Sequence, residues 1–313
     1  MRSVTKSSRR FLVLGRVGDS SLHKHWLEGL AASDRTWDLV LNAFGKDSER
    51  VQDGDLPTVF DYGTKWDSIV RYFKANPHLF DQYDYVMFPD DDVLMNAADI
   101  NRVFEITSTC GLTMAQPSLT HDCYFTFPVL LSDPQFSYRY TSYIESMACC
   151  MKSSYFRTLI PMFERHYTGW GTDQIWTMLM DAPAYKAAII DEVRMVHTRP
   201  LYTGPLYKSY SQGIDPRQEL IILTQSFTNL PKGMHIYGGV LKNGRHINAT
   251  ETRLRFVLNL VKLAFRTHCP IFILRAALVM FLRIFTHAKY KPETLKVRPG
   301  SAIDLIRSEA TKT

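Results

Sequence analysis

The chain has 313 residues, 45% of them hydrophobic and 22% charged, proportions that support a globular core and exclude a disordered or fibrous chain. Its formal net charge of +6 suits an anionic ligand or an anionic membrane surface, and without a dense basic stripe along the body it argues against nucleic-acid binding. The five cysteines, Cys110, Cys123, Cys149, Cys150 and Cys269, are odd in number and lack zinc-ligand spacing, which excludes a disulfide framework and a structural zinc site and favours a reducing, cytoplasmic compartment.

In chain order, the charged N-terminus has no apolar run before Phe11, so no signal peptide is expected. Phe11 to Gly15 reads as an opening parallel strand, followed by a turn over Arg16 to Ser21 and a helix around Leu22 to Leu30. Trp37 to Phe44 is a second strand, and Trp66, Ile69, Val70 and Phe73 have helical spacing. Tyr83 to Phe88 is again strand-like and runs into Pro89-Asp90-Asp91-Asp92. A helix over Ala97 to Thr107 and a short strand over Thr113 to Gln116 follow, then an irregular stretch from Pro117 to Tyr140 of the kind that forms binding loops. Further on come a strand at Tyr143 to Met151, a helix at Ser153 to Arg165, and a Gly-containing turn at Thr168 to Gly171. The last elements are a helix from Thr172 to Met180 and strands at Ala187 to Ile190 and Val193 to Val196. Strands alternating with helices predict an α/β domain with a mostly parallel, Rossmann-like sheet flanked by helices, whose ligands bind beyond the carboxyl ends of the strands.

Three places carry chemistry. Two carboxylates on a strand-end turn make a hard oxygen site for Mn2+ or Mg2+, which would bind the phosphates of a nucleotide. Side-chain alternation directs Asp90 and Asp92 one way and Asp91 another. In Thr168-Gly169-Trp170-Gly171-Thr172-Asp173 the glycines allow close backbone approach, and Trp170 offers a flat face to a sugar ring. Asp173, in the first turn of a helix, is placed to accept a proton from an attacking hydroxyl. His197, at a strand end, is a further ligand for the metal, and Arg199 a contact for a phosphate.

This order of an apolar strand, Asp90-Asp91-Asp92, Gly169-Trp170-Gly171-Thr172-Asp173 and His197 resembles the GT-A glycosyltransferases, and more closely a group of poorly characterised bacterial and plant glycosyltransferases. The resemblance implies a GT-A domain over 9–225, with Asp90, Asp92 and His197 as metal ligands and Asp173 as the base of an inverting enzyme. It also implies donor-nucleotide contacts from Gly15, Arg16, Val17, Asp90, Asp91 and Arg199, and an acceptor side lined by Glu145, Trp170 and Gly171. The activity implied is transfer of a sugar from a nucleotide sugar to a hydroxyl of a glycan or lipid-linked acceptor, in polysaccharide or glycoconjugate synthesis. The competing classes are a Mg2+-dependent phosphohydrolase or nuclease and a non-catalytic carbohydrate-binding protein on a transferase fold.

From Arg253 the character changes. Arg255, Asn259, Lys262 and Arg266 form a narrow polar stripe on an otherwise apolar helix, and after Pro270 the run Ile271 to Phe285 is apolar apart from Arg275 and Arg283. No stretch approaches the roughly 18 uncharged residues of a membrane span. The region 235–296 is therefore expected to be an amphipathic helical appendage that lies on an anionic membrane surface at the cytoplasmic face, or packs on the catalytic domain or a second subunit. Residues 297–313 are expected to be a loose tail.

Overall fold

The strand Phe11–Val17 (β1) is buried along its whole length, as an apolar run covered on both faces should be. It lies in a computed structural model that describes residues 8–164, 168–200, 203 and 215–304. Parallel pairing joins β1 to Trp37–Ala43 (β2) and to Tyr85–Pro89 (β4), and β2 to the short Val59–Phe60 (β3). Side chains alternate between two hydrophobic clusters. Phe11, Val13, Leu39 and Met87 belong to one, and Leu12, Leu14, Val40, Val86 and Phe88 to the other. The helix Lys65–Ala75 (α1) adds Trp66, Ile69, Val70 and Phe73 to the second cluster, as their spacing predicts, and Ser153–Phe163 (α3) packs there too. The helix Ala97–Thr109 (α2), started by a capping box between Asn96 and Asp99, adds Ile100, Val103 and Phe104 to the first.

Beyond β4 the expected parallel order gives way. Ala148–Lys152 (β8) runs antiparallel between β4 and Met114–Leu119 (β6), which pairs parallel with the long Ala187–His197 (β9). The strand Phe136–Thr141 (β7) runs antiparallel to β9, inside the stretch expected to be irregular. Val93–Leu94 (β5) also pairs antiparallel with β9. Ile236–Leu241 (β10) and His246–Asn248 (β11) complete the order β11-β10-β7-β9-β6-β8-β4-β1-β2-β3. The sheet is thus mixed, with antiparallel pairs in the majority among the described residues. This overturns the mostly parallel GT-A sheet that the local pattern implied. The physical reason is that an apolar strand such as Ala148-Cys149-Cys150-Met151 reads the same in either direction, and its partner is chosen by contacts far away in the chain.

Five smaller corrections follow. The helix expected at Leu22 to Leu30 is a single short turn, His25–Leu27, and that at Thr172 to Met180 is a four-residue α-helix, Thr172–Ile175 (α4), followed by a tighter turn. The two strands expected after Ala187 are one, β9. The region 235–296 begins with β10 and β11, not a helix, because Gly238-Gly239 breaks the strand signature there; a Cβ on Gly239 would stand 3.0 Å from the Phe136 ring. The helices Ala249–Ala264 (α6) and Pro270–Thr286 (α7) follow it, after the earlier helix Pro216–Gln225 (α5). Of the expected tail, Val297 bridges to Phe227 and Ile303 is buried, while residues 305–313 lie outside the described set.

One ion pair braces the second half of the sheet. Arg139 on β7 and Asp191 on β9 both have fully buried side chains. Arg139 Nε donates to Asp191 at 2.6 Å, its two terminal nitrogens reach the carbonyls of Val129 and Leu131, and the guanidinium lies 4.0 Å from the centre of the Phe256 ring on α6. Asp191 also accepts from the Asp133 N–H at 2.9 Å. Removing one partner strands the other in a dry core. Arg139→Leu should therefore cost about 3–5 kcal/mol in urea unfolding. The double variant Arg139→Leu/Asp191→Leu should recover much of that loss; equal losses in the two variants would show that the pair is not what holds this region.

Candidate functional site

The strands β1, β4 and β9 end on one edge of the sheet, where Arg16 and Asp90 form a bridge and Asp90 N–H donates to the Met147 carbonyl at 2.7 Å. The chain turns at Asp91 and Asp92, so strand alternation no longer governs and the three carboxylates diverge. Asp90 accepts from Lys65 Nζ at 2.7 Å, and the same ammonium reaches the Phe88 and Ser146 carbonyls at 2.7 Å each. Asp91 is buried; it accepts from the Gly18 N–H at 3.2 Å and from Arg199 Nη2 at 3.0 Å. Asp92 lies 3.2 Å from Arg199 Nη1 and 3.5 Å from His197 Nε2. His197 Nδ1–H donates to the Tyr124 carbonyl at 2.8 Å, which leaves Nε2 directed at Asp92. The Thr198 N–H donates to the Asp92 carbonyl at 3.0 Å, clamping β9's end to the turn.

The electrostatics follow this geometry. Burial pushes the Asp90 carboxyl up to about 6, against the charge of Lys65 and with repulsion from Asp92. Burial raises Asp91 as well, opposed by Arg199. For Asp92 burial acts upward too, but the His197 hydrogen bond and charge, with Arg199, outweigh it and hold the carboxyl below its ordinary value. His197 is raised correspondingly, Asp92 overcoming burial.

The segment 142–147 joins β7 to β8, which are separated in the sheet by β9 and β6, so it crosses a sheet face and carries two more groups to this edge. Trp176 Nε1 donates to the Ile144 carbonyl at 2.9 Å and Thr177 Oγ1 to that of Ser142 at 2.6 Å. These contacts seat the turn after α4 against the crossing, and from α4 itself Asp173 accepts from the Tyr143 hydroxyl at 2.9 Å. Burial pushes the half-buried Asp173 up to about 6 against that hydrogen bond. Glu145, 9% exposed, has an Oε2 with no hydrogen-bond partner among the described residues. Burial first, then the charges of Asp173 and Asp90 against that of His197, push its carboxyl up to about 8. Glu145 therefore stands in the field of groups from three separate stretches of chain, and it is neutral at pH 7.

The glycines of the 168–173 turn have steric causes. Gly169 and Gly171 have φ of +72° and +87°, and a Cβ would lie 2.2 Å from Trp66 or 2.7 Å from Leu220 respectively. Trp170 between them is half-buried, its N–H donating to Thr168 Oγ1 at 3.2 Å.

The N-terminal trio lies further back than a nucleotide loop would. Gly15, Arg16 and Val17 are all within β1. A Cβ on Gly15 would sit 2.5 Å from the Trp26 ring, and Val17 is core. Arg16 is buried against the Phe44 ring, donating to Asn42 Oδ1 at 2.6 Å and to the Gly63 carbonyl; burial lowers it to about 10. The residue that reaches the edge is Gly18, where a Cβ would meet Phe44 at 2.7 Å and Asp91 Oδ2 at 3.2 Å. Gly18 lies in the turn read from the sequence as Arg16 to Ser21, whereas Lys65, Gln116 and Tyr143 were not singled out as site residues. Gln116 accepts the Glu145 N–H, and only Tyr143, two residues from Glu145, carried a local signal.

A divalent ion would find only part of a ligand set at this edge among the described residues. Asp92 Oδ1 is a buried acceptor with no hydrogen-bond partner among the described residues, and Asp92 with His197 supplies two donors. Asp90 is engaged by Lys65, and among the described residues no group of three or more His, Cys, Asp or Glu side chains is arranged to hold a metal. The arrangement does not fit the Asp-X-Asp metal motif of GT-A enzymes, which corrects that resemblance and the expected Mn2+ or Mg2+ site at Asp90, Asp92 and His197.

No family model matches the chain, and no curated protein matches it in sequence. Among solved structures the chain is similar to S. aureus TarS 1-349 in complex with UDP-GlcNAc, at 11% identity and a TM-score of 0.44, covering 93% of this chain and 98% of that one. It is also similar to S. aureus TarS, at 11% identity and a TM-score of 0.40, covering 82% of this chain; it spans 48% of the length of that structure.

Proposed function

We propose that the chain is a glycosyltransferase that moves a sugar from a nucleotide-sugar donor to a hydroxyl of a glycan or lipid-linked acceptor, with inversion. The observation that carries this reading is Asp173. Its carboxyl is held by the Tyr143 hydroxyl at 2.9 Å and raised by burial to about 6, so at neutral pH it is ionised yet basic enough to take a proton from an attacking hydroxyl. Lys65 and Arg199, fixed by the acidic turn, supply positive charge for the diphosphate. As the acceptor oxygen bonds to the anomeric carbon, the bond to the diphosphate oxygen breaks on the opposite face and Asp173 receives the hydroxyl proton. Glu145 keeps its own proton and donates a hydrogen bond to the acceptor side, and Trp170 offers a ring face to the sugar.

Asp173→Asn should lower kcat by about 10²–10⁴-fold with little change in donor KM. The measurement is release of nucleoside diphosphate from a panel of nucleotide sugars. Because the base must be ionised, wild-type kcat should fall about tenfold per pH unit below pH about 6, and the variant should lack that limb. Wild-type turnover by the variant would remove Asp173 from the reaction.

Glu145 titrates in the other direction from a paired carboxylate. Its folded pKa, about 8, lies above the ordinary 4.5, so the folded state binds the proton more tightly and stability is lost as pH rises from 4.5 through 8. Glu145→Gln mimics the neutral acid. It should raise Tm by a few degrees, about 3–8 °C, at pH 8.5 and change it little at pH 5; an equal shift at both values would show that Glu145 is not buried as a neutral acid.

A further inference from the structure

The helical pair α6–α7 presents a broad apolar side to solvent. In the polar stripe of α6, Asn259 donates to the Ser132 carbonyl at 2.9 Å and Arg255 binds Gln135 and Glu251, so half of that stripe faces the body of the protein. Its neighbour, shifted by one residue, is the exposed one: Leu254, Leu258, Val261 and Phe265, with Phe265 82% exposed. On α7, Ile271, Leu278, Leu282 and Phe285 are likewise exposed, and only Ile273, Ala277 and Met280 are buried. Single exposed apolar residues need no explanation, but two adjoining helices with this many do.

The charge around this face has one sign. From Thr252 to Pro292 there is no Asp or Glu, whereas Lys262, Arg266, Arg275, Lys289 and Lys291 all fall within it. Lys262 and Arg266 border the apolar stripe of α6, and Arg275 sits among Ile271, Leu278 and Leu282 on α7, where a long side chain can lift its charge to a headgroup. Two copies meeting through this face would oppose like charges. Among the described residues no helix is long and apolar enough to cross a membrane.

We propose that α6–α7 is a docking face for an anionic membrane surface, the apolar side chains entering the acyl boundary and the basic ones meeting lipid phosphates. The pair is tied to the strand-end edge. The His268 ring at the turn between the helices lies 5.9 Å from Phe125 and 6.4 Å from Tyr124, and the Tyr124 carbonyl accepts from His197. Docking therefore holds the strand-end edge beside the headgroups. This deepens the transferase reading by favouring an acceptor presented at a membrane, but the docking face stands without it.

The test is co-sedimentation of the full chain with phosphatidylcholine vesicles, with and without phosphatidylglycerol. Binding should rise at least about tenfold with the anionic lipid and fall as salt is added. Phe265→Glu/Leu278→Glu and, separately, Lys262→Gln/Arg266→Gln/Arg275→Gln should each lose about tenfold or more. All five positions are exposed, so both variants should keep the wild-type circular dichroism spectrum. Absence of binding to anionic vesicles would overturn the proposal, as would binding that neither variant weakens. A dimer in light scattering that Phe265→Glu/Leu278→Glu dissociates, without vesicle binding by the wild type, would assign the face to a second copy. Because vesicle binding needs no turnover, this result is separable from that of the Asp173 test.

Discussion

A buried carboxylate, Asp91, sets the geometry of the strand-end edge. It leaves the end of β4, takes the Gly18 N–H from the end of β1 and binds Arg199 just beyond the end of β9. Burying a charge is costly unless it is paired and hydrogen-bonded, and Asp91 is both. Arg199, once fixed, also reaches Asp92, and Asp92 in turn orients His197. Asp90 is excluded from this network and finds Lys65 instead. The acidic turn is thus a clamp between strand ends as much as a binding surface, and its cations are held in place by its own carboxylates.

The mixed sheet has a chemical consequence. Had β8 followed β4 in parallel, the connection into it would have entered from the opposite edge. Running antiparallel, β8 begins at the edge where β4 ends, and the preceding residues 142–147 cross the sheet to reach it. That crossing brings Tyr143 to Asp173 and Glu145 into the field of Asp173, Asp90 and His197. Carboxyls from residues 90–92, 145 and 173 converge only because of this strand reversal. Burial moves Asp173, and burial with the charges of Asp173 and Asp90 moves Glu145, into the range where one can accept a proton and the other can keep one.

The helical pair is bound to the sheet by a separate anchor. The Arg139–Asp191 pair lies beneath Phe256, and Arg253 donates from α6 to the Ile236 carbonyl on β10 at 2.7 Å. These contacts turn Phe256, Val257, Leu260 and Ala264 of α6 inward. They leave a second apolar stripe, Leu254, Leu258 and Val261, outward, more exposed apolar surface than a chain standing alone favours. A partner surface supplies the missing half of that balance.

Local order was legible where it rests on local forces. The apolar run of β1, the helical spacing of Trp66, Ile69, Val70 and Phe73, the helix α2 and the strand-end position of Asp90-Asp91-Asp92 all follow from side-chain periodicity and backbone preference within a few residues. Asp173 and His197 could be singled out for the same reason, each lying at the end of an element with a readable pattern. What only the tertiary structure decided depends on contacts distant in sequence. These are the direction of β8, the membership of β10 and β11 in the sheet, the use of Gly15 and Arg16 to pack Trp26 and Phe44, the role of Lys65 as partner of Asp90, and the choice of which stripe of α6 faces out. Apolar strands pair equally well in either direction, a guanidinium donates to whichever carbonyl the fold presents, and two adjacent helix stripes differ by one residue. In each case the sequence leaves near-degenerate options, and burial together with the need to satisfy charge selects between them.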